Sequence, residues 1–476
     1  MTRRQGDDEE DAEAPMSQHF GSPDGAHKSE YRRTLFKLGA SFFLFGLINN
    51  DFATTHLLPV LYVIILSAAL DLVPPSTPKG IIAFCNIFPA LVAKLGWPYL
   101  LKGRIHYVRR LIGCTAISVG GMLVVALFDT LYMRLLGICF ASFSSGLGEL
   151  TFLQLSTRYH PPTVAGHSVG YFASGTGGAG LVGAFLWWEL RGLGILPFVI
   201  PIAYFFILPR PDRFAPELAY DDEADGEPLA ASYTRLPNEA DQDDSVVVTE
   251  SEATVTAPIA LSIEDKWRLA KPMLTKYMLP LFCVYLVGHF EYTINQGIAP
   301  TLVYPVPGPD KHWLMSKIIK SIRDYYPLWQ LVYQTSVFLS RSSITLGLPA
   351  LPGRLLSAPA IVQGFILTTL AFESAVGIFG DEHEGLSFAL VFLLISVEGI
   401  CGGLAYVNVF YRINQEKHDA PGADAERAKQ EREFKIGSIG LADSSGILMA
   451  SLLAVPTEIE LCRAQVARGK LFCESL

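Results

Sequence analysis

The sequence predicts an all-α polytopic membrane protein of major-facilitator-like plan, with about 11 transmembrane helices in two bundles, and three observations carry that prediction. Half of the 476 residues are hydrophobic and only 17% are charged, with a mean hydropathy of +0.32, a balance that excludes a soluble globular chain. Apolar runs of roughly 20 residues recur along the chain, and each is long enough to cross a hydrocarbon core of ~30 Å. A long acidic stretch at 210–270 divides these runs into six and five, close to a six-plus-six arrangement.

Residues 1–34 are polar and acidic and end in Arg32 and Arg33, with Lys37 following. They read as a disordered tail, held in the cytosol by those bases. No basic stretch leads into a short apolar core, so the first span is expected to act as its own anchor. The amino-terminal bundle covers 35–209. Its first apolar run, 36–70, is too long for one span, and the polar break at Asn49-Asn50-Asp51 leaves pieces too short for two. Further spans follow at 80–101, 108–128, 131–155, 168–190 and 194–208.

The stretch 210–270 is expected to be a disordered cytosolic linker: from Asp212 to Asp265 it carries fifteen acids against Arg213 and Arg235. Within it, Tyr233-Thr-Arg-Leu236 has the outline of a tyrosine-type sorting signal that adaptor proteins read. The carboxy-terminal bundle, 271–456, has spans at 273–302, 328–348, 355–379, 386–411 and 434–456. Residues 311–326 place Leu314, Ile318, Ile319 and Ile322 on one face and Lys317, Lys320 and Arg323 toward the other, which predicts a helix resting in the interface. The stretch 415–433 is charged and helix-prone, and 457–476 reads as a tail. Arg104, Arg109, Arg110, Arg158, Arg412 and Lys417 fall on the side shared with the amino terminus, as expected of cytosolic loops.

Polar residues inside the apolar runs mark a candidate pathway for solute and protons, because an ionised group in hydrocarbon costs about 3 kcal/mol unless it faces protein or water. Asn49 and Asn50 lie on the first span and Glu149 on the fourth. His289, Glu291, Tyr292, Asn295 and Gln296 form a stripe on the seventh at helical spacing. Gln334 and Arg341 lie on the eighth, Glu398, Tyr406 and Asn408 on the tenth, and Asp443 on the eleventh. The carboxylates suit proton carriage, and Arg341 suits a phosphate or carboxylate of the solute or a position snorkelling to the interface. Glu149, Glu291 and Glu398 are expected to line one central cavity. Small residues recur every four positions as Gly170/Ser174/Gly178 and Gly175/Ala179/Gly183, spacing that lets a helix approach its neighbours closely.

Cys85, Cys114, Cys139, Cys283 and Cys401 lie in spans without metal-like spacing or a paired framework, and read as free thiols. The terminal Cys473-Glu-Ser-Leu476 has the outline of a prenylation box, but its charged Glu474 and an odd span count argue against lipidation. No metalloprotease-type His-Glu-x-x-His, carboxylate pair of the Gly-x-Gly-Asp type or histidine cluster is present, so no enzyme activity and no cofactor or metal are expected.

Several strings resemble the battenin family of lysosomal and fungal vacuolar membrane proteins: Ser-Ser-Gly-Leu-Gly-Glu at 144–149, Ser-Gly-Thr-Gly-Gly-Ala-Gly at 174–180, Glu-Tyr-x-Ile-Asn-Gln-Gly at 291–297, Ser-Arg-Ser-Ser at 340–343, Glu-Gly-x-x-Gly-Gly-x-Ala-Tyr-Val-Asn at 398–408 and Arg-Glu-Phe at 432–434. The resemblance implies a major-facilitator-related fold in the vacuolar or lysosomal membrane. It implies a part in clearing glycerophosphodiesters from the lumen, as in the animal members, or effects on vacuolar pH and basic amino-acid transport, as in the fungal ones. One departure stands out: the family joins the Asn-Asn pair almost directly to the string seen here at 61–71, so 51–60 reads as an insertion. A non-transporting trafficking scaffold is the alternative function.

Overall fold

The computed structural model describes residues 24–51, 79–100, 105–128, 130–190, 200–211, 213–214, 261–287, 298–308, 313–379, 384–416, 424–471 and 473. Among these the secondary structure is helical, in twelve α-helices joined by short π and 3₁₀ turns. The amino-terminal half contains α1 (Asp24–Asp51), α2 (Lys79–Leu100), α3 (Tyr107–Leu127), α4 (Leu131–Ser156) and α5 (Pro162–Leu190), followed by a π turn at Ala203–Ile207. After the linker come α6 (Ile263–Met273), α7 (Leu279–Val287), α8 (Trp313–Ile318), α9 (Tyr325–Arg341), α10 (Ala358–Val376), α11 (Glu384–Gln415) and α12 (Asp424–Ala467).

Packing separates inner from outer helices as a major-facilitator-like plan requires. Within the amino-terminal half α1 packs on α5, and α4 on both α2 and α3; within the other, α11 packs on α9 and α10, and α12 on α7. The halves meet where α2 lies along α12 and where α5 lies along α9 and α11. In span order these are the second against the eleventh and the fifth against the eighth and tenth. The third and ninth spans, α3 and α10, are peripheral: only 22% and 28% of their apolar windows are buried, against 61% for α4. The apolar side chains they leave exposed, such as Ile112, Leu123, Phe365 and Phe372, suit lipid.

The α1–α5 contact shows how sequence sets this packing. A Cβ placed on Gly46 would overlap the carbonyl of Phe172, and one on Gly175 would overlap the carbonyl of Phe43, so the two backbones touch where neither residue carries a side chain. The glycine array serves a second neighbour as well, because a Cβ on Gly177 would meet the α9 backbone at Phe338. Above and below these contacts, Phe42, Phe45, Phe152 and Phe172 fill the core, with the Phe45 and Phe152 rings stacked at 4.5 Å. A second core in the other half surrounds Trp329, whose indole N–H donates to the carbonyl of Leu302 at 3.0 Å.

Several boundaries differ from the sequence expectation. Helix α1 begins at Asp24 rather than near 35, because its polar turns find packing of their own: the Tyr31 ring meets Phe214 edge-on at 6.1 Å. The last part of the expected disordered linker is ordered. Ser262 caps α6 in a reciprocal capping box with Asp265, and Lys266 reaches into the α2 end to donate to the carbonyls of Pro98 and Tyr99.

The expected interfacial helix over 311–326 is instead short α8 and a separate turn. Ser321 and Asp324 form a second capping box there, which stops one helix and starts the next. Helix α9 ends at Arg341, short of the expected 348, and α12 continues past 456 to Ala467 with Pro456 inside it. The continuation is anchored by Gln465, whose side-chain amide donates to the carbonyls of Thr301 and Ser374. Gly469, at φ +86°, then turns the chain back, and Cys473 forms a disulfide with Cys462, a pairing not expected from the sequence. Residues 52–60, the rest of the proposed insertion, and the sorting string with Tyr233 and Leu236 lie outside the described residues.

Candidate functional site

A buried charged group sits where the halves meet. Glu149 lies seven residues from the end of α4, in a turn opened by Gly146 and Gly148, and its Oε2 is 2.8 Å from Lys94 Nζ on α2. The same ammonium lies 3.2 Å from both carboxylate oxygens of Asp443 on α12. Tyr406 on α11 donates its O–H to Glu149 Oε1 at 2.8 Å. The Arg341 guanidinium of α9 stacks on that ring, 4.4 Å from its centroid, and donates to Thr176 Oγ1 on α5 at 2.7 Å. Two acids, two bases and a tyrosine from five helices thus share one site, with Lys94, Glu149 and Asp443 all nearly removed from solvent.

The electrostatics of this group depend on its position between the halves. Charges buried in protein remain stable only when paired and hydrogen-bonded, since each loses several kcal/mol of hydration. The Lys94–Glu149 pair belongs wholly to the amino-terminal half. Among the described residues Asp443 has one cation, Lys94, from across the interface; its other donors there are the backbone N–H and hydroxyl of Ser444 beside it. The Tyr406–Glu149 bond crosses the interface in the opposite sense.

A second layer of polar contacts joins the halves nearer the end that carries Arg110 and Arg158. Tyr107 donates to Glu433 Oε1 at 2.8 Å, the Gln154 side-chain amide donates to the Glu433 carbonyl at 3.0 Å, and Gln415 donates to the Pro162 carbonyl at 3.0 Å. Arg110 steadies Gln154 by donating to its Oε1 at 2.9 Å.

The sequence-named residues divide accordingly. Glu149, Tyr406, Arg341 and Asp443 come together, and Arg341 points inward to Thr176 rather than snorkelling to an interface. Asn49 braces the same turn, donating to the Ser145 carbonyl at 3.1 Å with its Oδ1 against Gly148. Gln334 is buried on the Arg341 face of α9, seven residues and about 10 Å away along the axis. Asn408 acts elsewhere. Its Oδ1 accepts from the Leu351 N–H at 2.7 Å and its amide donates to the Leu404 carbonyl, which fixes the α9–α10 connection.

Glu398 is also fully buried but lies eight residues, about 12 Å along α11, from Tyr406, beside Gln363 of α10, which donates to its backbone carbonyl at 3.1 Å. It is not among the residues bonded to Glu149, Lys94 or Asp443. His289, Glu291, Tyr292, Asn295 and Gln296 lie outside the described residues, as does the side chain of Asn50. Sequence reasoning passed over Lys94 and Thr176. Lys94 is the one base in the interior of an otherwise apolar helix, a signal available from the sequence, but its closeness to Lys102 and Arg104 makes it resemble a residue flanking the membrane.

Comparison with known proteins agrees with the sequence resemblance. The chain is 43% identical to Protein BTN1 of Mycosarcoma maydis over 93% of its own length and 89% of that protein's. It is 41% identical to Protein BTN1 of Cryptococcus neoformans, covering 92% and 96%, and 34% identical to Protein btn1 of Schizosaccharomyces pombe, covering 92% and 97%. Among solved structures it is similar to a bacterial homologue of the iron transporter ferroportin in an outward-facing state, at 13% identity and a TM-score of 0.42 over 93% of this chain and 98% of that one. It is also similar to the major facilitator superfamily transporter FucP in the outward conformation, at 12% identity and a TM-score of 0.45 over 91% and 98%. The model of the family described as CLN3 protein matches residues 40–464, and the chain belongs to that family, the battenins.

Proposed function

We propose that this protein is a transporter of the vacuolar or lysosomal membrane that moves a small polar or charged solute between the two halves, linked to protons, with its amino terminus in the cytosol. The observation that carries the reading is the group Lys94, Glu149, Tyr406, Arg341 and Asp443, buried where α2, α4, α9, α11 and α12 converge. A structural core has no use for two acids and two bases at such a cost in hydration, whereas a solute pathway needs charges that can change partners.

The chemistry of the group suits a solute carrying both signs or a single strong charge. Arg341 and Lys94 match a phosphodiester or carboxylate, and Glu149 and Asp443 match an ammonium or guanidinium. Glycerophosphodiesters and basic amino acids, the two classes that the family suggests, both fit this description. Movement of protons with the solute would also make vacuolar pH depend on the protein.

Purified full-length protein in proteoliposomes tests this directly, with labelled glycerophosphocholine and labelled arginine supplied separately, each with and without a pH gradient. Accumulation of one of them that collapses when the gradient is removed is the expected result. Uptake of neither above protein-free vesicles, under either condition, would rule the transport reading out.

A further inference from the structure

We propose that Asp443 is the proton-carrying residue, and that its bond to Lys94 is a lock between the halves that a proton releases. The proposal rests on the transport reading above and names the residue through which protons act. The geometry is asymmetric in a way that singles out this carboxylate. If the halves part, Lys94 and Glu149 leave together as a one-to-one pair, because both belong to the amino-terminal half. Asp443 leaves with only the Ser444 N–H and hydroxyl of its own helix. A carboxylate in that position has lost Lys94, the one cation paired with it among the described residues, in a poorly solvated place, and the neutral acid is then the favoured form.

The groups facing Asp443 support the assignment. Helix α2 brings Lys94, and α4 brings Glu149, a like charge that shares the same ammonium. Helix α11 brings Tyr406, bonded to Glu149 rather than to Asp443, and α9 brings Arg341, stacked on the Tyr406 ring and donating to Thr176. The titratable groups of α7 are Cys283 and Tyr285, the latter edge-on to Tyr406. Helix α6 and the π turn after it bring Lys266, which donates to the Pro98 and Tyr99 carbonyls, and Lys276, which donates to Glu416. The one acid of α10, Glu373, lies at the other end of α12 beside Tyr304 and the N–H of Phe379. No second base is directed at Asp443 from the described helices packed on it.

The order of events follows from position. Asp443 lies ten residues, about 15 Å, along α12 from Glu433, where Tyr107 and Gln154 hold the halves together. With Asp443 ionised, the Lys94 bridge and the Glu433 layer act together and that end stays shut. A proton reaching Asp443 from the acidic side converts the carboxylate to a carboxylic acid, and Lys94 remains an ammonium on Glu149. The Lys94 bridge is then gone from the contacts that hold the halves together, which still include the Glu433 layer and the Tyr406–Glu149 and Arg341–Thr176 bonds. Release of the proton on the opposite side restores the carboxylate, and the bridge re-forms. One proton is taken up and one released, and no other species is needed.

Asp443→Asn removes the charge and keeps the size. In the proteoliposome assay it is expected to abolish accumulation driven by the pH gradient, so that the internal solute never exceeds the external concentration. If the natural protein accumulates solute on a gradient and Asp443→Asn does so equally, with the same pH dependence, the proposal is overturned and the transport reading stands. If the natural protein does not respond to a gradient, it is the proton-linked reading that fails.

Infrared difference spectroscopy of the natural protein covers the case in which the variant does not fold. Near neutral pH, exposed aspartates, with an ordinary pKa of about 3.9, are ionised. A protonated-carboxyl band that appears on acidification from pH 8 to 6 and shifts on ¹³C-aspartate labelling is expected. The absence of such a band, or one that shifts only on ¹³C-glutamate labelling, overturns the assignment of the proton to Asp443.

Discussion

Lys94 on α2 and Asp443 on α12 are 349 residues apart in sequence and lie 3.2 Å apart in the fold, both buried, with Glu149 completing the group at 2.8 Å from the same ammonium. This one side chain serves two carboxylates, one from each half of the molecule. Removing it therefore leaves two acids facing each other without a cation. Lys94→Ala is expected to destabilise the protein by about 3 kcal/mol, the low end of the range for breaking a buried pair, because proton uptake by one acid relieves part of the repulsion. Adding Asp443→Asn to Lys94→Ala should recover part of that loss. Thermal unfolding of the detergent-solubilised single and double variants measures both, and strict additivity would show that the two residues do not interact.

Tyr406 does two separable things. Its hydroxyl donates to Glu149 at 2.8 Å, and its ring supports the Arg341 guanidinium at 4.4 Å. Tyr406→Phe keeps the ring and loses the donor, which for a bond to a charged acceptor amounts to about 1.5–3 kcal/mol. Tyr406→Ala loses both and leaves a cavity, so it should fall further, by about 3–5 kcal/mol in all. Equal unfolding temperatures for the two variants would mean that the ring contributes nothing.

The close approach of α1 and α5 predicts a contrast between glycines. Gly175→Val places a branched side chain against the Phe43 carbonyl and should cost at least the 1–3 kcal/mol typical of overpacking, with lost expression as the extreme outcome. Gly120 on α3 has open space where a Cβ would go, so Gly120→Ala should be neutral or stabilising by up to about 1 kcal/mol through helix propensity. Fluorescence-detected size-exclusion profiles after heating distinguish the two; a Gly175→Val variant as stable as the parent would contradict the packing.

Much of the architecture was legible because membrane spans are written in composition. The runs that became α3, α4, α5, α10 and α11 follow from apolar length alone. Glu149, Arg341, Tyr406 and Asp443 were visible as polar residues in apolar runs. What the sequence did not show was their grouping, which depends on contacts between helices hundreds of residues apart. The spans expected to line a cavity directed attention to Glu398, yet the cation that organises the site, Lys94, lies on an interface helix. Helix ends were poorly legible for another reason. Capping boxes at Ser262 and Ser321 and the anchoring of Gln465 are local polar arrangements that hydropathy does not register.

Glu416, just past α11, predicts a pH dependence at the end of the molecule bearing Arg110. Burial alone would raise its pKa, but Lys276 and Tyr277, which donate to Oε1 at 2.8 and 2.7 Å, and Lys435, 3.2 Å from Oε2, together lower it to about 2. A carboxylate with a lowered folded pKa stabilises fully above its unfolded value, about 4.3, and loses that contribution as pH falls toward about 2. The gap in unfolding temperature between the natural protein and Glu416→Gln should therefore be constant from pH 7 to 5 and narrow below about pH 4. A gap that persists unchanged at pH 3 would show that the three donors do not act on the charge.

The carboxy terminus offers a test of topology. Cys473 is joined to Cys462, and the same turn carries Lys470, stacked 5.0 Å from the Tyr304 ring, and Arg468, which donates to the Ser374 carbonyl at 3.4 Å. These contacts lie at the opposite end of α12 from Glu433 and hence away from Arg110, Arg158 and Arg412, the bases that would face the cytosol in the orientation proposed above. A disulfide persists on an oxidising side and would be reduced in the cytosol. The bonded sulfur is also unavailable to a prenyltransferase, so Cys473 should carry no lipid despite the terminal box. Mass spectrometry of protein alkylated before reduction should find the 462–473 cross-linked peptide and no prenyl mass. A membrane-impermeant maleimide applied to intact vacuoles, whose outer face is cytosolic, should leave both cysteines unlabelled even after a permeant reductant, and should label them once the membrane is opened. A prenyl group on Cys473, or labelling of reduced intact vacuoles at either residue, would place this end in the cytosol and change the span count by one.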